Sequence, residues 1–158
     1  MNTSPITSPL GEGEKAATGA ALQASLVELI DLSLTAKQAH WNVIGTHFRS
    51  VHLQLDELVS IAREHADDVA ERAAALGVSP NGKARTVVEH SGVREFPDGW
   101  RADTDVVADI TAVLGDLIQR LRTRIDETDK TDLVTQDLLI TITQRLEKAH
   151  WMWQAQLG

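Results

Sequence analysis

The sequence has no cysteine, no long apolar run, and fewer basic than acidic residues. The absence of cysteine excludes disulfides, thiolate metal sites and cysteine nucleophiles, so any tight metal site must use histidine and carboxylate ligands. The deficit of basic residues leaves a formal net charge of -8, which repels nucleic acid and anionic membranes and attracts cations. Because the apolar runs are far shorter than the roughly 18 residues of a membrane span, no span is expected.

What is present fits one globular domain. The chain has 158 residues, of which 42% are hydrophobic and 24% are charged. A chain of this length buries about two-thirds of its unfolded surface, which is enough for one compact core without disulfides. Residues 1–21 contain Lys15 as their only basic residue and lack the apolar segment of a secretory signal. A cytoplasmic location is therefore expected.

Apolar residues recur at steps of three and four in four long segments, which predicts four helices. These segments are residues 14–43, 48–76, 103–127 and 131–157. Residues 78–100, with several prolines and glycines, form a long connection in which residues 86–90 make one short extra helix. No alternating β-pattern and no internal repeat is found. This organisation predicts an all-α, ferritin-like four-helix bundle over residues 14–158, preceded by a flexible tail at residues 1–13.

The second predicted helix carries four potential metal ligands, His52, Asp56, Asp67 and Glu71. At 100° per residue they fall within an arc of about 100° on one face of the helix. The first two are four residues apart, as are the last two, so each pair points at a common position. The two pairs are separated by about 16 Å along the helix axis, too far for one chain to close both around one metal. Each pair is therefore predicted to supply half a site.

The two pairs are mirror positions about the point between Ile61 and Ala62. If two antiparallel copies of this helix cross at that point, the first pair of each copy faces the second pair of the other. Such an isologous contact gives two equivalent sites per dimer. The small residues Ala62 and Ala66 are expected to let the two copies approach closely.

His40 lies at the end of the first helix's apolar stripe, where a short turn at residues 45–47 folds this helix back along the second. Two imidazoles and three carboxylates then converge, a set that suits Fe(II) or Mn(II), and iron is the metal we expect. The alternative for the four residues on the second helix is a solvated face whose carboxylates pair with Arg63 and Arg72. For His40 the alternative is a hydrogen-bonded core histidine.

Three motifs follow one another in the first half of the chain: Lys37-Gln-Ala-His40-Trp41-Asn42-Val43, His52-x-x-x-Asp56, and Asp67-x-x-x-Glu71-Arg72. Together they closely resemble the Dps mini-ferritins of the ferritin-like superfamily. The resemblance implies that His40, His52 and Asp56 bind iron from one subunit, and that Asp67 and Glu71 bind it from the two-fold mate. It also implies a homo-oligomer built from dimers, a hollow shell of twelve subunits, with two symmetric ferroxidase sites per dimer.

The activity implied by the resemblance is oxidation of Fe(II), with hydrogen peroxide preferred over dioxygen, storage of ferric mineral, and protection against oxidative damage. Trp41 occupies a position where the family places an aromatic beside the metal, which implies electron transfer; core packing is the alternative. In the family, iron enters the shell through acidic pores near the beginning of the last helix, where this chain has Asp132 and Asp137. The resemblance therefore implies that iron enters past these two residues. Acidic residues in a first helical turn also simply favour the helix dipole.

Many Dps proteins bind DNA through flexible basic tails, because multiple phosphate contacts supply affinity without sequence specificity. In the N-terminal segment of this sequence the single basic residue, Lys15, is outnumbered by the acidic residues Glu12 and Glu14. No basic extension follows the last predicted helix. Twelve copies of a chain with net charge -8 carry -96. Weak or absent DNA binding is therefore expected. The alternative function is that of a DNA-compacting structural protein with little ferroxidase activity.

An enzyme alternative is a conventional ferritin or di-iron oxidase, whose site lies inside each bundle and uses Glu-x-x-His on two helices. Only Glu147-x-x-His150 fits that pattern. His47 and His65 lie near the proposed ligands in the sequence, and exposed positions on a loop and on a helix surface are expected for them. The alternative is that either binds a second, weaker iron or a proton.

Overall fold

A computed structural model describes residues 4–158, and it contains five helices and two short strands. The elements are α1 (Glu12–Asn42), β1 (Val43–Ile44), α2 (Phe48–Ala75), α3 (Ala84–His90), β2 (Arg101–Ala102), α4 (Asp103–Thr128) and α5 (Leu133–Gln154). The predicted four-helix bundle with one short extra helix in the long connection is confirmed. Helix α1 packs most extensively on α2, α4 packs on α5, and α1 also contacts α4.

The predicted apolar stripes form the core. Leu22, Leu29 and Ala36 of α1 are fully buried, as are Leu55 and Ala62 of α2. Helix α1 is apolar enough for an 18-residue window to have the mean hydropathy of a membrane span, 1.2. That window is 61% buried inside the bundle, which is typical of a core helix. Its apolar content therefore contributes to the core.

The two strands were not expected from the sequence. Val43 pairs with Arg101 and Ile44 with Ala102 in a parallel ladder of two residues each. These strands are too short to show an alternating pattern, and a tertiary contact between the turn after α1 and the segment before α4 creates them. The ladder joins the end of α1 to the beginning of α4.

The helix ends lie within three residues of the predicted bounds, and the first residues of α2 and α4 coincide with them. Helix α5 begins at Leu133, two residues later than expected, because the Asp132 carboxylate caps it by accepting the N–H groups of Val134 and Thr135. Helix α2 ends in a left-handed Gly77, where Val78 N–H donates to the Ala73 carbonyl across the last turn.

Helix α1 begins at Glu12, inside the predicted tail of residues 1–13, whose first three residues lie outside the described part of the chain. The Glu14 carboxylate accepts the N–H of Gly11 at 2.9 Å, which favours this helix start. Leu10 packs partly buried against the core. The flexibility of the tail stays a prediction.

One buried charged cluster connects α1 to α4. Glu28 is 2% exposed, and its carboxylate accepts hydrogen bonds from Arg120 at 2.5 Å and from Arg124 at 2.6 Å. A buried carboxylate of this kind is tolerated only because both its oxygens are bonded to cationic donors.

We predict that Glu28→Ala lowers the free energy of unfolding by about 3–5 kcal/mol, because it leaves two cations without their buried partner. Urea unfolding followed by far-UV circular dichroism, at one protein concentration, measures the difference. Glu89→Ala is the control, since Glu89 bonds Arg85 in an exposed pair on α3, and its loss is expected to be much smaller. Equal losses in the two variants would contradict the role of the buried cluster.

Candidate metal centre

Two histidines meet where the end of α1 lies against the beginning of α2. The imidazole rings of His40 and His52 are stacked, with centroids 3.6 Å apart and planes 17° apart. Nδ1 of His40 lies 2.8 Å from the His52 carbonyl oxygen, and Nδ1 of His52 lies 2.8 Å from the His40 carbonyl oxygen. Because a carbonyl only accepts, both Nδ1 atoms carry a proton and donate it. The neutral form of each ring then has its metal-binding lone pair on Nε2.

The Asp56 carboxylate lies beside these rings. Its Oδ1 is 3.5 Å from Nδ1 of His40 and accepts a hydrogen bond from Nζ of Lys37 at 2.5 Å. This Lys37 bond lowers the pKa of Asp56 more than burial raises it, and the charges of His40 and His52 lower it further. The structure thus brings together three of the five predicted ligands, His40, His52 and Asp56.

The other two predicted ligands lie elsewhere on α2. Asp67 and Glu71 are exposed, and neither carboxylate forms an ion pair or side-chain hydrogen bond with any residue between 4 and 158. Among those same residues, no three His, Asp or Glu side chains are arranged to hold a metal ion. One chain therefore presents the two pairs as separate groups, and the shared site stays a prediction.

The expectation that Ala62 and Ala66 let two copies of α2 approach is wrong. Ala62 is fully buried and Ala66 is 9% exposed, because both belong to the stripe that faces the core. The exposed surface beside the predicted two-fold point instead carries Ser60, Arg63 and Glu64.

The turn between α1 and α2, residues 45–47, holds the two histidine-bearing helix ends together. Gly45 adopts φ +133°, and a Cβ there would lie 2.6 Å from the Asp103 carboxylate. That carboxylate accepts the N–H of His47 at 2.6 Å and the N–H of Thr104 at 2.8 Å. Asp103 and the β1–β2 ladder therefore join the turn to the beginning of α4.

Sequence reasoning missed two residues that shape this centre. One is Lys37, whose spacing of three residues from His40 is the signal that puts both on one side of α1. The other is Asp103, for which the sequence predicts only the beginning of a helix. Its contact with His47, 56 positions away in the chain, has no local pattern.

The other histidines and Trp41 lie as follows. His47 is exposed, as expected, whereas His65 is only 7% exposed, so the expectation of a surface position was wrong for it. His65 lies on the core-facing side of α2, and its Nδ1 is 3.1 Å from Asp68 Oδ2.

Trp41 follows His40 in the chain, and 63% of its surface is exposed, so core packing within this chain does not explain its presence. Its electron-transfer role stays a prediction.

The two predicted pore residues have different surroundings. Asp132 caps α5 and also accepts a hydrogen bond from Arg72 of α2 at 2.6 Å. Burial raises the pKa of Asp132, but hydrogen bonds from Thr135 and Arg72 outweigh this and leave it below its ordinary value. Asp137 is exposed. The pore roles stay predictions, and Asp137 has the carboxylate more accessible to a passing ion.

Comparison with known proteins identifies a matching family and several relatives of similar sequence. The ferritin-like domain family matches residues 19–158. The chain is 39% identical over 140 residues to a DNA protection during starvation protein of Mycolicibacterium smegmatis, covering 86% of this chain and 74% of the relative. It is also 38% identical over 137 residues to the fine tangled pili major subunit of Haemophilus ducreyi, covering 87% and 72%.

A solved structure, that of Dps from Microbacterium arborescens in the high iron form, superposes with a TM-score of 0.90 at 31% sequence identity. The match covers 96% of this chain and 98% of that one. Since the names of the two curated relatives differ, the function of this chain has to be argued from its own residues.

We predict that Asp103→Asn lowers the melting temperature at neutral pH, and that this difference shrinks in acid. The N–H of His47 lowers the pKa of Asp103 below its ordinary value, so the folded state binds the ionised form better. That contribution is complete above the unfolded pKa of about 3.9 and is lost as pH falls through the lower folded pKa. Thermal melts of both proteins from pH 7 down to pH 3 measure it. A difference independent of pH would contradict this role of the carboxylate.

Proposed function

The chain belongs to the Dps group of the ferritin-like family, and we propose that it oxidises Fe(II) and stores the ferric product. The proposed catalytic ligands are His40, His52 and Asp56 of one subunit with Asp67 and Glu71 of a symmetry-related subunit. The proposal includes a cytoplasmic location, where such a protein limits oxidative damage by removing free Fe(II).

The observation that carries this proposal is the pair of reciprocal hydrogen bonds between His40 and His52. Histidines that bind metals almost always donate the proton of the other ring nitrogen to a carbonyl or carboxylate, which orients the ring and frees one lone pair. Both histidines have such a partner. The exposed carboxylates of Asp67 and Glu71, unpaired among residues 4–158, are the proposed hard oxygen donors for Fe(II).

A symmetric dimer is the building block that unites the two groups of ligands. Because the pairs are mirror positions about residues 61 and 62, one two-fold axis gives both sites at once. We further propose that six such dimers form a hollow shell, whose mass from 17.3 kDa subunits is about 208 kDa. The interior of the shell is where ferric mineral is stored.

Hydrogen peroxide is the proposed oxidant, with dioxygen as the slower alternative. Two Fe(II) ions each give up one electron, and one peroxide accepts both electrons and two protons to form two water molecules. This two-electron reduction releases no hydroxyl radical. Iron is proposed to enter past Asp137. Trp41 is the proposed electron donor, because it follows His40 in the chain and its indole is exposed.

We predict that His52→Ala and Asp67→Ala each abolish most rapid Fe(II) oxidation, and that mixing the two variants within one assembly restores part of it. If the site is shared, a mixed dimer has one intact site, formed by the wild-type halves of both chains. Random mixing then restores about a quarter of wild-type activity. Anaerobic Fe(II) loading followed by peroxide addition, with oxidation recorded by absorbance, measures the rates.

The control for this experiment is the mixture of His52→Ala with Asp56→Ala. Both substitutions remove ligands from the same half, so no dimer regains a site and activity is expected to stay low. Light scattering verifies that every sample has the assembled mass. Equal inactivity of both mixtures would contradict a shared site.

The second candidate function is DNA compaction, which is favoured by the name shared by several relatives, DNA protection during starvation protein. The net charge of -8 per chain opposes it, since contacts to phosphate dominate nonspecific DNA affinity.

We predict no retardation of linear duplex DNA by the assembled protein in gels at about 50 mM salt, where electrostatic binding is strong. A mixture with a basic DNA-binding protein serves as the positive control. Retardation that disappears at about 200 mM salt would contradict this prediction and would favour the DNA-compacting function.

A further inference from the structure

The contact between Lys37 and Asp56 has no role in the function proposed above. Nζ of Lys37 lies 2.5 Å from Oδ1 of Asp56, and only a quarter of the Lys37 side chain is exposed. Lys37 lies one helical turn before His40 on α1, whereas Asp56 lies one turn after His52 on α2. The ion pair therefore crosses between the same two helix ends as the stacked imidazoles.

This ion pair occupies one particular side of the Asp56 carboxylate. Oδ1, which Lys37 bonds, lies 3.5 Å from Nδ1 of His40, the nitrogen that donates to the His52 carbonyl. Nζ of Lys37 and Nδ1 of His40 therefore both lie beside this one oxygen. The other oxygen, Oδ2, receives no hydrogen bond from residues 4–158 and stays available to a cation. A ligand held through one oxygen in this manner is oriented for metal binding through the other.

The same ion pair changes the charge of the proposed site. Three carboxylates, Asp56, Asp67 and Glu71, contribute three negative charges, and both histidines bind as neutral rings. The Lys37 ammonium reduces the sum to two negative charges, which one divalent ion neutralises. Once the ion is oxidised to Fe(III), the site carries one excess positive charge. This charge lies close to the Lys37 ammonium. Electrostatic repulsion in a partly buried site then disfavours retention of the product.

We propose, on the basis of the proposed ferroxidase function, that Lys37 is a positioning and specificity-determining residue that makes the site prefer divalent over trivalent cations. It orients Asp56 for Fe(II) and favours the transfer of Fe(III) from the site to the mineral. Lys37 contacts a ligand and not the iron, so it acts through Asp56 and through its charge.

Metal binding without turnover tests this proposal. The assembled protein is titrated with Co(II), followed by its visible absorption, and with Tb(III), followed by its luminescence. In Lys37→Met the ratio of Tb(III) affinity to Co(II) affinity is expected to rise at least about tenfold, because one unit of positive charge near the ions has been removed. In Lys37→Arg, which keeps the charge and can still bond Asp56, the ratio is expected to stay near the wild-type value.

Lys148→Met is the matched control, because it removes an ammonium from α5 that bonds no carboxylate among residues 4–158. It changes the net charge equally and is expected to leave the ratio unchanged. Circular dichroism and light scattering verify the fold and assembly of each variant. Lys37→Gln, closer in polarity to lysine, replaces Lys37→Met if that variant fails to assemble, and the same rise is expected.

An unchanged affinity ratio in the uncharged Lys37 variants, with Co(II) binding that still requires His52, overturns the role of Lys37 and leaves the proposed site intact. An equal rise in Lys148→Met also overturns it, since net charge and not the Asp56 contact would then be responsible. If the wild type binds Co(II) no better than His52→Ala does, the proposed site itself is wrong.

Discussion

The reciprocal hydrogen bonds between His40 and His52 set the register of α1 against α2, and the other features of the candidate centre depend on that register. Each imidazole donates to the backbone of the opposite helix, so a slip of either helix breaks both bonds. The same alignment puts Lys37 within hydrogen-bond distance of Asp56. The tautomer of both rings follows from these bonds, and with it the nitrogen that remains for a metal.

The short turn and the β1–β2 ladder maintain this alignment from outside. Asp103 accepts the N–H of His47, and the two strands connect the end of α1 to the beginning of α4. Gly45 is required because any side chain there would meet the Asp103 carboxylate. A contact between the two halves of the bundle therefore supports a candidate centre whose proposed ligands all lie on the first half.

Carboxylates serve opposite purposes in different parts of this protein. Glu28 is buried and bonded by two arginines, which connects helices, and Asp132 caps α5 while it pairs with Arg72. Asp67 and Glu71 are exposed and unpaired within the described chain. In the proposed dimer these two carboxylates face the carboxylate of Asp56 from the other copy. The negative charges repel one another unless a cation is bound between them. The proposed iron site is thus consistent with where this chain leaves its acids free.

By itself the sequence determined the four helices, their core stripes and the spacing of the two candidate ligand pairs on α2, because helical period and i,i+4 spacing are local properties of a chain. It also limited any metal site to nitrogen and oxygen donors, since cysteine is absent. Only the tertiary structure decided that His65 faces inward and that Ala62 and Ala66 leave almost no surface for a second copy, since periodicity does not reveal which neighbouring helix covers the edge of a stripe. The Lys37–Asp56 bond, the strand pair and the Asp103 contact likewise join residues from 19 to 58 positions apart. Such contacts depend on how helices pack against one another, and no local pattern in the sequence records them.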